Sequence, residues 1–404
     1  MLNVKTPTEV IETINSLNII TDYQHELVDL VDSCGRVLHF TICSDENVPN
    51  FNRSTVDGYA VLASDTFGCS ESIPAILNVT TEVLMGESAN VTLTSSNCAI
   101  VSTGGELPEG ADAVVMLEHS EDYGDNMVGI QKSVAPGNNV IFNGDDVHIG
   151  QEVLKAGTIL TPHNIGILAA LGYNRVEVRT RPVVGIISTG DELVPTSCVP
   201  AGGQVRDINM PMLHAAIARF GAKVIDFGII KDDEQAIRET VLLAVESCDV
   251  CLISGGSSAG ARDMTARVIE SEGELLLHGI AMKPGKPTIL GVVCGKPVFG
   301  LPGHPVAAYM VTELFVRLLL NKFVGTSVKR RSTVARLTEA ISSNHGRAEY
   351  IGVSLAESDG DRFAHPIRGK SGLISSLSGV DGYICVPRDC EGLAKGEIAS
   401  VIYF

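Results

Sequence analysis

Apolar residues recur along this chain with two different periods. From Pro182 onward, short continuous apolar runs stand at PVVGIIS, KVIDFGII (from Lys223), DVCLISGG (from Asp249), PTILGVV (from Pro287) and KPVFGLPG (from Lys296). Between the first three lie MPMLHAAIARFG and DEQAIRETVLLAVES, where apolar residues fall at i, i+3 and i+4. The runs predict strands buried on both faces, and the longer period predicts amphipathic helices. Asp232-Asp233 supplies an N-cap signal for the second helix, and Gly221 a stop for the first. The stretch Val306 to Leu320, interrupted by Thr312, Glu313 and Arg317, predicts an amphipathic core helix. Strand–helix alternation of this kind specifies a mostly parallel sheet covered on both faces, with ligands at the carboxyl ends of its strands.

The flanks are patterned differently. Residues 46–146 are rich in Val, Thr, Gly and Asn with short alternating runs such as IPAILNVTTEVLMGE, which predicts a β insertion domain. Residues 328–404 repeat that style in TVARLTEAIS, EYIGVSLAES, GYICVPRD and EIASVIYF, and predict a C-terminal β domain. Residues 1–45 together with 147–181 are helical or mixed and frame the insertion as an elongated linker domain. The central α/β domain then spans 182–327. The expected fold class is α/β plus all-β in a multi-domain chain.

Composition narrows the function. With no Trp and only 5% aromatics among 404 residues, the cores must be built from Val, Ile, Leu and Ala. A formal charge of −18 repels nucleic-acid backbones and anionic membrane surfaces, so neither is an expected partner. A small anionic ligand would need local Lys, Arg, helix N-termini or a metal. The start MLNVKTPTEV has no basic-then-apolar signal pattern, and no run reaches ~18 uncharged apolar residues, so a cytoplasmic location is expected. Ten cysteines are scattered, with one CxxC at Cys248 and Cys251 and no second pair at zinc-finger spacing, which predicts reduced structural thiols.

Four strand-to-loop transitions offer chemistry. STGDELV puts Asp191 and Glu192 directly after a buried strand, as metal ligands, as a base, or as a simple turn cap. SGGSSAGARD, with Gly255, Gly256 and Ser257, leads toward a helix expected to begin near Asp263, whose amides suit an anion. It is neither a Walker A loop nor a GxGxxG fingerprint. MKPGKP brackets a Pro-Gly turn with Lys283 and Lys286, either solvated or gathered for an anion. GLPGHP, with Pro302 and Pro305, is a rigid turn ahead of a helix; its His304 is more often neither ligand nor base. Together the loops suit a phosphate- or oxyanion-bearing substrate with a divalent cation. Residue chemistry alone reaches a nucleotide- or phosphate-handling transferase and stops there.

In order and spacing these loops resemble one family. NFNRSTVDGYA (Asn50 to Ala60), STGGELPEGADAVVMLE (Ser102 to Glu118), GDDV, STGDEL, IIKDD, SGGSSAGARD, MKPGKP, GLPGHPVA, GRAEY, GKSG and DGYICVPRDCEGLAKGE are similar to motifs of the MoeA-type molybdopterin molybdenumtransferases and the E domain of gephyrin. The resemblance implies an elongated homodimer of four-domain subunits with a MogA-like central domain. It implies insertion of molybdate into adenylylated molybdopterin (molybdopterin-AMP) with release of AMP and use of Mg²⁺. It implies a cleft shared between subunits, and admits a molybdopterin adenylyltransferase as partner.

Carried onto this sequence, the catalytic positions are Asp57, Thr103, Asp146, Glu192, Asp232 and Asp263, of which Glu192, Asp232 and Asp263 are implied to hold Mg²⁺. Substrate and oxyanion binding fall on Gly255, Gly256, Ser257, Lys283, Lys286, Pro302, Pro305, Arg347 and Ser371. The resemblance is incomplete at two places. NNVIFNGDDV lacks arginines common in the family, and Gly352 stands where a second arginine is common, with Arg368 and Lys370 as candidate substitutes. A scaffold paralogue and a tungstate-specific variant are the alternative readings.

Overall fold

The computed structural model describes residues 4–19, 23–255, 259–327, 330–358 and 360–404, and the side chains of 259–262 lie outside this description. The chain forms two compact units. One comprises Leu27–Cys34 and Leu38–Glu177; the other comprises Met1–Glu26, Gly35–Val37 and Val178–Phe404.

The smaller unit is built on a six-stranded sheet. Its strands are β1 (Gly58–Val61), β2 (Ala75–Val83), β3 (Asn97–Val101), β4 (Ala113–Met116), β5 (Ser120–Gly124) and β6 (Met127–Ile130), in the order β4-β1-β3-β2-β6-β5. Alternation sends Tyr59 and Val61 to one core with Leu77, Val115 and Ile130, and Ala60 to the other with Val83, Val101 and Val114. Both faces of β1 are therefore covered, and all four of its residues are buried. Gly58 is required there: a Cβ would sit 2.0 Å from the carbonyl oxygen of Val115 on the neighbouring strand.

The larger unit holds the predicted α/β sheet. Its strands are β7 (Val183–Thr189), β8 (Lys223–Ile230), β9 (Val250–Gly255), β10 (Gly273–His278), β11 (Ile289–Val293) and β12 (Lys296–Leu301), in the order β8-β7-β9-β12-β11-β10. The first four pair in parallel, and β11 and β10 close the edge antiparallel. On one face pack α1 (Pro7–Ser16), α3 (Asn209–Arg219), α6 (Pro305–Val311) and α7 (Arg317–Phe323), around Ile186, Leu213, Leu252, Phe299 and Phe315. On the other pack α4 (Glu234–Ser247) and α5 (Ala259–Glu272), around Ile187, Val241, Ile253 and Ile269. Each such side chain contributes about 1.5–3 kcal/mol by leaving water. The Asp233 side chain caps α4 by accepting from the amide of Ala236.

Two helices depart from the sequence expectation. α5 starts one turn earlier than Asp263, so that residue lies within the helix and not at its first amides. The helix from Pro305 is interrupted by a π turn, Thr312–Val316, and its polar residues are not a solvent face. Thr312 and Glu313 are buried, with Glu313 held by Arg219, by Arg317 at 3.2 Å and by the hydroxyl of Tyr309.

The chain ends in a barrel. Strands β13 (Ser332–Leu337), β14 (Ala348–Ser358), β15 (Asp361–Pro366), β16 (Gly382–Val386) and β17 (Ile398–Tyr403) run β14-β15-β13-β17-β16, and pairing of β16 with β14 closes the ring. The two-residue strand Met282–Lys283 adds to β14 from outside, so the MKPGKP loop of the sheet is stitched to the barrel by backbone hydrogen bonds. α2 (Pro162–Ala170) belongs to the smaller unit and is capped by Thr161.

Candidate functional site

The carboxyl ends of β7, β8, β9 and β12 carry Thr189, Asp232, Gly255 and Pro302 on one edge of the parallel sheet, as the loop pattern predicts. Gly255 has φ +153°, and a Cβ there would lie 2.2 Å from the carbonyl oxygen of Thr189. Only glycine lets β9 leave the sheet this close to β7. Gly256 and Ser257 lie outside the described residues.

A polar cluster lies at this edge. Ser188 and Ser254 are register partners, so both side chains point to the α3 face. The Asn209 amide donates to the Ser254 hydroxyl and to the carbonyl of Gly303, both at 2.9 Å, which fixes the GLPGHP loop against β9. Ser188 Oγ, Asn209 Oδ1 and Asp232 Oδ1 are buried without a hydrogen-bond partner among the described residues. Burial pushes the Asp232 carboxyl above the ordinary carboxylate range, reinforced by the negative charges of Glu192 and Asp191 and opposed by a hydrogen bond from Thr189.

Repelling carboxylates and an orphaned carboxylate oxygen suit a divalent cation, which would neutralise the charge and fill the vacant valence of Asp232. Among the described residues no three His, Cys, Asp or Glu side chains are already gathered at metal-binding spacing. Asp263 is exposed on α5 and takes no part in the charge interactions that raise Asp232.

Next to this edge is a cleft of about 770 Å³. Its walls are the MKPGKP loop, the GLPGHP loop with the start of α6, strand β14, and the segment 366–371. Five basic residues line it: Lys283, Lys286, Arg347, Arg368 and Lys370. Glu349 is the one side-chain carboxylate among its described lining residues, and it holds the Lys283 ammonium at 2.6 Å. Arg368 is turned toward Glu339 at 3.3 Å. Lys286, Arg347 and Lys370 have no ion-pair partner among the described residues, so the net field of the cleft is positive within an acidic chain. Ser371 Oγ lies 2.8 Å from His304 Nδ1, and the Ser371 carbonyl accepts from the Val306 amide.

Pro302 and Pro305 are buried in the turn that holds His304, with Pro302 reaching the cleft. Gly352 also reaches it, and a Cβ at that position would meet Val380 at 3.2 Å. A side chain there would press on Val380, which would have to yield by a few tenths of an ångström. Sequence reasoning missed Glu349 and Asn209, and it set His304 aside. The GRAEY motif held a signal for Glu349, whereas nothing near Asn209 marked its two long-range hydrogen bonds.

In the smaller unit the three signature segments converge. The amide and hydroxyl of Thr103 donate to Asp57 Oδ1 at 2.7 and 3.1 Å. The Gly104 amide donates to Ser54 O, and the Thr55 amide to Asn139 O, while Val140 pairs with Ser54. The Asn143 side-chain amide donates to Asn50 O, and Asp146 is exposed on the following turn with its backbone amide donating to Val48 O. Asp57, Thr103 and Asp146 thus come from segments that are remote in sequence and joined by backbone pairing.

Three family models match in succession: "MoeA N-terminal region (domain I and II)" over residues 6–172, "Probable molybdopterin binding domain" over 185–322, and "MoeA C-terminal region (domain IV)" over 334–404. A relative from Methanocaldococcus jannaschii is 35% identical over 385 residues, 93% of this chain and 91% of that one. The molybdopterin molybdenumtransferase of Bacillus subtilis is 31% identical over 409 residues, covering 100% of this chain and 95% of its own length. The crystal structure of the molybdopterin biosynthesis MoeA protein from Pyrococcus horikoshii OT3 matches with a TM-score of 0.87 and 34% identity, covering 99% of this chain and 100% of that one. Fold and matches together define a multidomain protein with a MogA-like α/β domain and a C-terminal β barrel. The chain belongs to the MoeA family.

Proposed function

We propose that this protein is a molybdopterin molybdenumtransferase of molybdenum cofactor biosynthesis. Its substrates are molybdopterin-AMP and molybdate, its metal cofactor is Mg²⁺, and AMP is released. The single observation that carries this reading is the cleft between MKPGKP and the Lys370-Ser371 turn, a basic pocket on a chain of charge −18 beside an acidic strand edge. Cations on one side and carboxylates on the other suit an oxyanion and a cation-bridged phosphate held side by side.

In this reading Lys283, Lys286 and Arg347 hold the oxyanion, and Ser371 donates to it. The Gly255 backbone lets the substrate approach the sheet edge closely, and Gly256 and Ser257 are assigned to substrate binding from the resemblance. Pro302 and Pro305 keep the GLPGHP wall rigid. Glu192 and Asp232, with Asp191 beside them, are the residues that would hold Mg²⁺, and Asp263 joins them on the family resemblance alone; when bound, the ion supplies charge neutralisation at the phosphoanhydride. Asp57, Thr103 and Asp146 serve the cleft of a partner subunit in a homodimer, and a molybdopterin adenylyltransferase is the candidate supplier of substrate. A cytoplasmic location fits these partners. Among the described residues no helix is long and apolar enough to cross a membrane.

The test is incubation of the purified protein with molybdopterin-AMP, Mg²⁺ and molybdate, following AMP and metal-loaded cofactor together. Both products in equal amounts support the reading. AMP release without metal incorporation, or neither, overturns it. Replacing molybdate by tungstate in a parallel incubation shows which oxyanion is preferred.

A further inference from the structure

His304 lies where two walls of the cleft meet. The residue follows Gly303, whose carbonyl is fixed by Asn209, and precedes Pro305, the first residue of α6, so its backbone is held on both sides. Its ring is exposed to the cleft, and Nδ1 lies 2.8 Å from Ser371 Oγ across a sequence separation of 67 residues. Cδ2 and Nε2 lie 3.7 and 3.8 Å from where a Gly372 Cβ would be, so glycine leaves that edge of the ring open. Lys286, Arg347 and Lys370 share the cleft without ion-pair partners among the described residues.

Resting on the oxyanion reading of this cleft, we propose that His304 and Ser371 form a donor pair in which His304 positions the serine hydroxyl and completes oxyanion binding. A neutral imidazole has one N–H, and a serine hydroxyl has one O–H. If Ser371 donates to Nδ1, the proton of the ring is on Nε2 and faces the cleft. If Nδ1–H donates to Oγ, the serine hydrogen is released to the cleft instead. Either tautomer therefore presents one hydrogen to an anion, while the backbone contact from the Val306 amide to Ser371 O keeps the two residues in register. The pair would take small tetrahedral oxyanions, molybdate and inorganic phosphate among them.

The test is titration of the full chain with molybdate and, separately, with inorganic phosphate, by calorimetry, alongside thermal unfolding of every variant. His304→Leu and Ser371→Ala are each expected to weaken both anions about tenfold, the loss of one hydrogen bond to a charged group. The double variant is expected to be no weaker than the poorer single one, because the two residues act as a unit. His304→Asn is expected to stay within about threefold, since a carboxamide also accepts from a hydroxyl through its oxygen and offers an N–H.

Wild-type affinity in His304→Leu overturns the inference. So does a His304→Asn variant as weak as His304→Leu, or an additive double variant. A variant with a lowered unfolding midpoint but unchanged affinity marks a purely structural contact and also overturns it. Should His304→Leu fail to fold, His304→Asn and Ser371→Ala decide. Binding lost in Lys283→Ala/Lys286→Ala but kept in His304→Leu refutes this inference alone. Absence of oxyanion binding by the wild type refutes the cleft reading with it.

Discussion

Lys283 is the residue for which the structure changes the expected consequence of a mutation. Its ammonium is 54% exposed and sits 2.6 Å from Glu349, whose carboxylate is only 13% exposed and also accepts from the Ser343 hydroxyl at 2.8 Å. Lys283→Ala therefore does two things. It removes a charge-assisted donor, on the order of 1.5–3 kcal/mol. It also leaves Glu349 as an unbalanced anion in the cleft; at ~6 Å from a bound oxyanion and an effective dielectric of ~40, that repulsion is about 1.4 kcal/mol. Together they weaken oxyanion binding by about 3 kcal/mol or more, roughly a hundredfold in Kd.

Adding Glu349→Gln to Lys283→Ala removes only the repulsion, so the double variant should recover about tenfold. Glu349→Gln alone should bind more tightly than wild type, because the ammonium is released to the ligand. The assay is calorimetric titration with molybdate at low ionic strength, repeated at high salt, where screening should shrink every difference. Equal affinity of Lys283→Ala and the double variant, or weaker binding in Glu349→Gln, would refute the reasoning.

Three further outcomes are expected. Gly255→Ala should lower stability by about 2–4 kcal/mol in denaturant unfolding, because its Cβ meets the backbone of Thr189 and its φ disfavours any side chain. Asp232, its carboxyl raised by burial and by Glu192 and Asp191, binds its proton more tightly folded than unfolded; stability is full below the ordinary carboxylate range and falls as pH rises through the folded value. Asp232→Asn should lose that fall and unfold at higher temperature at neutral pH, and added Mg²⁺ should stabilise the wild type more than the variant. Cys248 and Cys251 are buried with their thiols pushed up by burial, so a thiol reagent should modify exposed Cys34, Cys43 and Cys198 in the native protein and reach this pair only on unfolding.

What the sequence made legible was local. Continuous apolar runs such as VVGIIS located the strands, and Gly-Pro and Gly-Gly punctuation located the loops at their carboxyl ends, because both signals sit within a few residues. Pairings across long separations were not legible. The buried Glu313 looked like a solvent-facing position because its partner Arg219 is 94 residues away. Closure of the barrel depends on β16 meeting β14, and β13 runs parallel to β15; alternation alone says neither. The start of α5 was placed too late because Asp263 resembles an N-terminal signal, yet the helix already runs from Ala259. At the site, the lysines of MKPGKP were visible as a motif, but not that Glu349 neutralises one of them. Gly352 read as a missing cation; in the fold a Cβ there would meet Val380 at 3.2 Å, and Arg368 and Lys370 line the same cleft.

The central claim is that the cleft between MKPGKP and the Lys370-Ser371 turn receives the oxyanion. It is tested most directly by anomalous scattering at the molybdenum edge from crystals of this protein soaked in molybdate. The account predicts one strong anomalous peak within hydrogen-bonding reach of Ser371 Oγ and beside the side chains of Lys286 and Arg347. A peak elsewhere, with this cleft left without anomalous density in crystals whose protein is active in solution, would contradict it.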